Sequence, residues 1–147
     1  METKAEPLVT EQTFHAPVEE VWKAITDKDQ MRRWFFETME DFEPEPGFET
    51  QFNVRAEGND YLHLWKVTEV IPGRRIVYNW KYGGIPGDSF VTWELSDTTD
   101  GTKLKHTHEG TETFPQDNPV FGRDIGQAAW RYFICERLKE FLEQQDA

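Results

Sequence analysis

The sequence predicts an α+β domain: a curved antiparallel sheet of about six to seven strands, two short N-terminal helices, and a long C-terminal helix across the concave face. Three observations carry this expectation. The hydrophobic period changes from helical to alternating after Gly47. The alternating segments follow one another with only turn-length breaks, as antiparallel neighbours do. The chain then closes on a long amphipathic stretch, the one element able to cover such a sheet.

Leu8 to Phe14, rich in Thr and apolar residues, reads as the first strand, stopped by Ala16-Pro17. Pro17 suits the first helical position, where a missing N–H costs nothing, and Glu19 and Glu20 favour the positive end of the helix dipole. Val18, Val21, Trp22 and Ile25 form one apolar stripe. A second short helix is suggested by Asp29 as cap and by Met31, Trp34 and Phe35. Two helices this short need a sheet to lie on.

From Phe48 to Arg55 apolar and polar residues alternate. Gly58-Asn59-Asp60 reads as a hairpin turn into a strand from Tyr61 to Ile71, and Pro72-Gly73 turns the chain into Arg75 to Lys81. After the glycine-rich loop Tyr82 to Gly87, Val91, Trp93 and Leu95 mark another strand. Asp100-Gly101 is a tight turn, and Thr102, Leu104, His106 and His108 share one face of the last strand. The end reads as helical from about Pro119 to Gln144, with Trp130, Phe133, Ile134, Leu138, Phe141 and Leu142 on its apolar side. Phe121 and Ile125 project elsewhere, so the helix bends near Gly126 or its first turns touch something other than the sheet.

At 147 residues the chain holds one domain, expected over residues 7–144, with residues 1–6 and 145–147 as frayed termini. Its net charge of −12 argues against nucleic acid and anionic membrane as partners. No apolar run reaches the length of a membrane span, and the first residues lack the apolar core of a signal peptide. A lone Cys135 excludes an internal disulfide and fits a reducing, cytoplasmic setting. Aromatic residues make up 14% of the chain, which argues for an ordered core despite the charge.

Phe14 to Thr26 followed by Met31-Arg32-Arg33-Trp34-Phe35 resembles the opening of the SRPBCC (START-like, birch-pollen-allergen-like) superfamily. Within it, the resemblance is to the branch named after the activator of the ninety-kilodalton heat-shock chaperone's ATPase. Trp65 to Trp80 resembles that branch's central hairpin. Gly101-Thr102-Lys103-Leu104 with His108 and Gly110 resembles its last strand. Ala129-Trp130 ahead of Leu138 to Glu143 resembles its helix. The resemblance implies a helix-grip fold, a cavity for a small hydrophobic ligand, and as alternatives a chaperone partner in a stress response or a cyclase-like enzyme with a histidine general base. Three departures stand out: Trp65 replaces a common Gly, His106 replaces a common aliphatic residue, and the spacing after Trp130 is one residue longer.

His106 and His108, two apart on a strand, face the same side. Such a pair chelates a metal only with a third ligand; His63, Glu69 and Glu94 are conceivable, but spacing supplies none of them, and no metal is expected. No nucleophile motif, phosphate-cradling loop or cofactor fingerprint is present, so no catalytic residue and no cofactor are assigned. The aromatic surplus is the most informative feature, because buried indole N–H and phenol O–H groups need partners that a cavity can supply. The expected ligand-lining set is Trp34, Phe52, His63, Trp65, Tyr78, Trp80, Trp93, His106, His108 and Trp130. The expected entrance lies at the Gly83 to Gly87 loop and near Phe121. The chain is expected to act as a monomer or homodimer.

Overall fold

In the computed structural model, which describes residues 7–56, 58–115 and 117–144, β1 (Leu8–Phe14) leads into α1 (Val18–Thr26) and α2 (Lys28–Trp34). Five strands follow: β2 (Glu49–Ala56), β3 (Asn59–Ile71), β4 (Arg75–Tyr82), β5 (Ser89–Thr98) and β6 (Gly101–Glu109). The C-terminal helix runs as α3 (Arg123–Arg131), a π-helical segment (Tyr132–Leu138) and α4 (Lys139–Gln144). The termini expected to fray lie outside the described residues. Among the described residues, no helix is long and apolar enough to cross a membrane.

The six strands form one antiparallel sheet in the order β1-β6-β5-β4-β3-β2. The meander thus runs from β2 to β6, and β1 adds to the free side of β6. The sheet is curved, and a bulge between Val67 and Glu69 adds to that curvature. It also lets Val67 and Val70, three apart, both pack on the core.

Local signals shift slightly from their expected places. Pro17 is the residue before α1, its carbonyl accepting from Glu20 and Val21. Asp27, not Asp29, caps α2: its carboxylate accepts from the Gln30 N–H at 3.1 Å. Pairing of Ala56 with Asn59 leaves Gly58 in the hairpin turn, with Asn59 and Asp60 already in β3. At Gly101 an added Cβ would stand 1.9 Å from the Phe14 carbonyl oxygen, so only glycine lets β6 begin this close to the end of β1. Next to it the buried Thr102 hydroxyl donates to the Ala16 carbonyl at 2.8 Å, which clasps the corner into α1.

One face of the sheet carries the core. Trp65 and Val67, then Ile76, Tyr78 and Trp80, then Val91, Trp93 and Leu95, and Leu104, His106 and His108 are all buried. The helices press on this face. The Trp34 indole N–H donates to the Ala24 carbonyl at 2.8 Å and fixes α2 on α1, and Arg137 donates to the Arg33 carbonyl at 2.7 Å, tying the π segment to α2.

The C-terminal helix differs from expectation in two ways. It starts at Arg123, and Pro119–Phe121 forms a separate 3-10 turn, divided from it by the extended Gly122. Its buried residues, Trp130, Ile134, Leu138 and Leu142, recur every fourth position. In a pure α-helix that spacing drifts by about 40° per step, and the stripe would leave the sheet. The wider π segment carries an extra residue and cancels the drift. The longer spacing after Trp130 is the sequence trace of this insertion.

Candidate functional site

A cavity of about 310 Å³ lies where α3 meets one end of the sheet. Its floor is Tyr61 and His63 from β3, Trp80 and Tyr82 from β4, and His108 from β6. Its roof is Ile125, Gly126, Ala129 and Trp130 from α3 with Phe133 from the π segment. Leu8, Phe36 and Val54 close the sides, and Thr111, Phe114, Val120 and Phe121 close the end. Large side chains hold the layers apart here, Trp80 and His108 from the sheet and Trp130 from the helix, while Leu8 packs into the place a side chain at Gly126 would take.

Four of the ten residues expected to line a pocket do so: His63, Trp80, His108 and Trp130. The other six do not line this cavity; they pack against neighbouring rings instead. Phe52 stacks on His63 with centroids 5.2 Å apart, and Trp65 packs edge-on against Phe52 at 4.8 Å. The Trp93 indole N–H donates to the Tyr78 hydroxyl at 2.9 Å, and Trp34 packs edge-on against Trp93. His106 stands over Trp130 at 3.8 Å and against Trp93 at 4.4 Å, fully buried.

The two segments expected at the entrance differ in their relation to the cavity. Phe121 lines the cavity, whereas the Gly83 to Gly87 loop does not. The loop packs behind the wall instead: Ile85 rests on the cluster of Tyr61, Phe114 and Phe121, and Gly87, at φ 125°, presses close on the Phe114 ring. Ile125, 53% exposed, stands at the cavity mouth.

His108 is held by a chain of hydrogen bonds. The Trp130 Nε1–H donates to His108 Nδ1 at 3.1 Å, so that nitrogen must be bare. His108 Nε2 therefore carries the proton and donates to Ser89 Oγ at 2.9 Å, and the Ser89 hydroxyl donates to the Trp80 carbonyl at 2.7 Å. Burial lowers the His108 pKa to about 3. His63 sits in the same kind of surroundings: burial lowers it to about 4, the Tyr61 carbonyl pulling weakly the other way. His106 is pushed well below the usual imidazole range by burial and then by nearby His108, and neither of its ring nitrogens has a hydrogen-bond partner among the described residues. Tyr82 is raised to about 12, again by burial.

These facts bear on chemistry. His106 does not reach the cavity, and both nitrogens of His108 are engaged, so neither is placed as a free general base. Glu69 and Glu94, conceivable third ligands for a histidine-bound metal, lie on the other face of the sheet, both paired with Arg75. Among the described residues, no group of three or more His, Cys, Asp or Glu comes together as a metal site. The Cys135 thiol is raised by burial, away from nucleophilic character.

Sequence reasoning missed Phe36, Tyr61, Tyr82, Phe114, Phe133 and the small residues of α3 as cavity lining. A signal for the last was present: Phe121 and Ile125, which fall off the apolar stripe, both line the cavity beside Gly126 and Ala129.

The family model of the Activator of Hsp90 ATPase homolog 1-like protein matches residues 15–143. Among solved structures, a protein from Mesorhizobium loti is 27% identical with a TM-score of 0.75, covering 96% of this chain and 99% of that one. A protein from Chromobacterium violaceum is 22% identical with a TM-score of 0.75, covering 94% of this chain and 97% of that one. DynU16, encoded in the dynemicin biosynthetic locus, is 24% identical with a TM-score of 0.73; the match covers 95% of this chain and 48% of DynU16, about half its length. The last two likenesses show the shared fold. No curated protein matches significantly.

Proposed function

Because the chain belongs to the Activator of Hsp90 ATPase homolog 1-like family, within the SRPBCC superfamily, we propose that it is a binding module for a small hydrophobic molecule held between sheet and C-terminal helix. One observation carries this reading: a ring-lined cavity of about 310 Å³ with no Asp, Glu, Lys or Arg among its described lining residues. That volume is at the small end of the range of roughly 300–1,000 Å³ typical of ligand sites, and suits a compound of one or two rings. The rings packed beside the cavity support a fixed, pre-formed site, since close-packed rings resist collapse.

The test is uptake of the neutral fluorophore N-phenyl-1-naphthylamine. Wild-type protein is expected to enhance its emission, and Ala129→Trp, which fills the roof, is expected to abolish the enhancement while the far-UV dichroism stays unchanged. No enhancement by wild type, or equal enhancement by the variant, contradicts the reading.

Docking on an ATPase chaperone is a second proposed role. Family membership and the exposed acidic residues Glu37, Glu40, Asp41, Glu43 and Glu45 support it. It predicts that saturating protein changes the chaperone's ATPase rate, and an unchanged rate removes it.

A further inference from the structure

Among the described lining residues, His63 carries an acceptor that the protein's own network leaves open, and Trp80 a buried indole N–H without a partner. Its Nδ1 lies 3.0 Å from the Tyr61 carbonyl. A carbonyl can only accept, so Nδ1 carries the proton and Nε2 is left with a bare lone pair. No described residue hydrogen-bonds to Nε2, although the side chain is 5% exposed and lines the cavity. Rings fix its orientation: Phe36, Phe52 and Trp80 each lie 5.2 Å away and Tyr82 4.9 Å away, centroid to centroid. By contrast, His108 has both nitrogens engaged.

The charge of the ligand follows from the same surroundings. Burial keeps His63 neutral at pH 7, its pKa lowered to about 4. With no charged side chain among the described lining residues, an ionised ligand would be buried without a counter-ion, which is costly. A ligand that covered Nε2 without a donor would strand the acceptor, which is also costly.

We propose that His63 Nε2 is the specificity-determining acceptor of the cavity, and that the ligand is an uncharged ring compound presenting a hydroxyl donor to it. This rests on the cavity reading above. Recognition is then a matter of one directional bond at the inner wall, with the surrounding rings supplying affinity that does not discriminate.

Four probes of one scaffold test this by calorimetric titration at pH 7.5: naphthalene, 2-methoxynaphthalene, 2-naphthol and 2-naphthoate. Expected is binding of 2-naphthol about tenfold tighter than of 2-methoxynaphthalene, with 2-naphthoate weakest. In His63→Phe the naphthol advantage is expected to vanish while 2-methoxynaphthalene binds as before. In wild-type protein the His63 15N Nε2 resonance is expected to move upfield with 2-naphthol and to stay with naphthalene, a readout that does not depend on the variant folding. Equal affinity for naphthol and its methyl ether, or an unmoved Nε2 resonance, overturns the inference and leaves the cavity reading standing. Failure of all four probes to bind overturns the cavity reading and the inference with it.

Discussion

Trp130 of the C-terminal helix and His108 of the sheet are joined by a hydrogen bond of 3.1 Å from indole Nε1–H to imidazole Nδ1. The bond crosses between the two layers at the wall of the cavity. It also sets the histidine tautomer, so that Nε2–H points at Ser89 and the Ser89 hydroxyl at the Trp80 carbonyl. Helix, β6, β5 and β4 are thereby linked through one polar chain inside an apolar interior, where a broken link leaves buried groups unpaired.

Trp130→Phe keeps a ring in place but removes the donor. The lost bond and the stranded His108 Nδ1 are expected to cost about 1–3 kcal/mol in urea denaturation. Ser89→Ala removes the next link. The two changes are expected to be non-additive by more than about 0.5 kcal/mol in a double-mutant cycle, because they share His108. Strict additivity would show that the chain does not act as a unit.

His106 illustrates the opposite case. Both ring nitrogens are buried without partners among the described residues, a position at which the resembled pattern has an aliphatic residue. His106→Leu removes two stranded polar atoms while giving up the contact with Trp130 at 3.8 Å. The expected net result is stabilisation by about 1 kcal/mol, read from the denaturation midpoint at pH 7. Destabilisation would mean that the imidazole has a partner in solution.

The buried histidines also fix a pH dependence. In the fold His63 and His108 have pKa values lowered to about 4 and about 3, and His106 lies well below its usual range; unfolded, each returns to about 6.5. Between those values the unfolded chain binds more protons, so stability is fully present above about pH 6.5 and is lost as pH falls. The expected unfolding free energy drops steeply from pH 6.5 to 5, with an uptake of two to three protons near pH 5. His106→Leu should lower that uptake by about one proton. A flat profile across this window would contradict the burial of these rings.

The fold was legible in the sequence because its signals are local: alternation placed Ile76, Tyr78, Trp80, Trp93, His106 and His108 on the core side of their strands. The site was only partly legible. Lining a cavity depends on how far along a strand a residue sits relative to the helix, and alternation says nothing about that. Trp65 and Trp80 sit on the same face and are paired across β3 and β4, yet only Trp80 reaches the open end. Much of the cavity wall comes from the helix side, Ile125, Gly126, Ala129 and Phe133 among it, and strand alternation says nothing about those residues. The π segment was visible only as one residue too many after Trp130, a sign whose meaning needs the neighbouring sheet.

The most direct measurement is a crystal structure determined under xenon pressure. Xenon enters dry apolar cavities and has no chemistry to confuse the result. The account predicts xenon between Trp80, Ala129 and Phe133, with the His108–Trp130 bond intact around it. A crystal in which side chains fill that volume, and xenon occupies no site beneath α3, would contradict it.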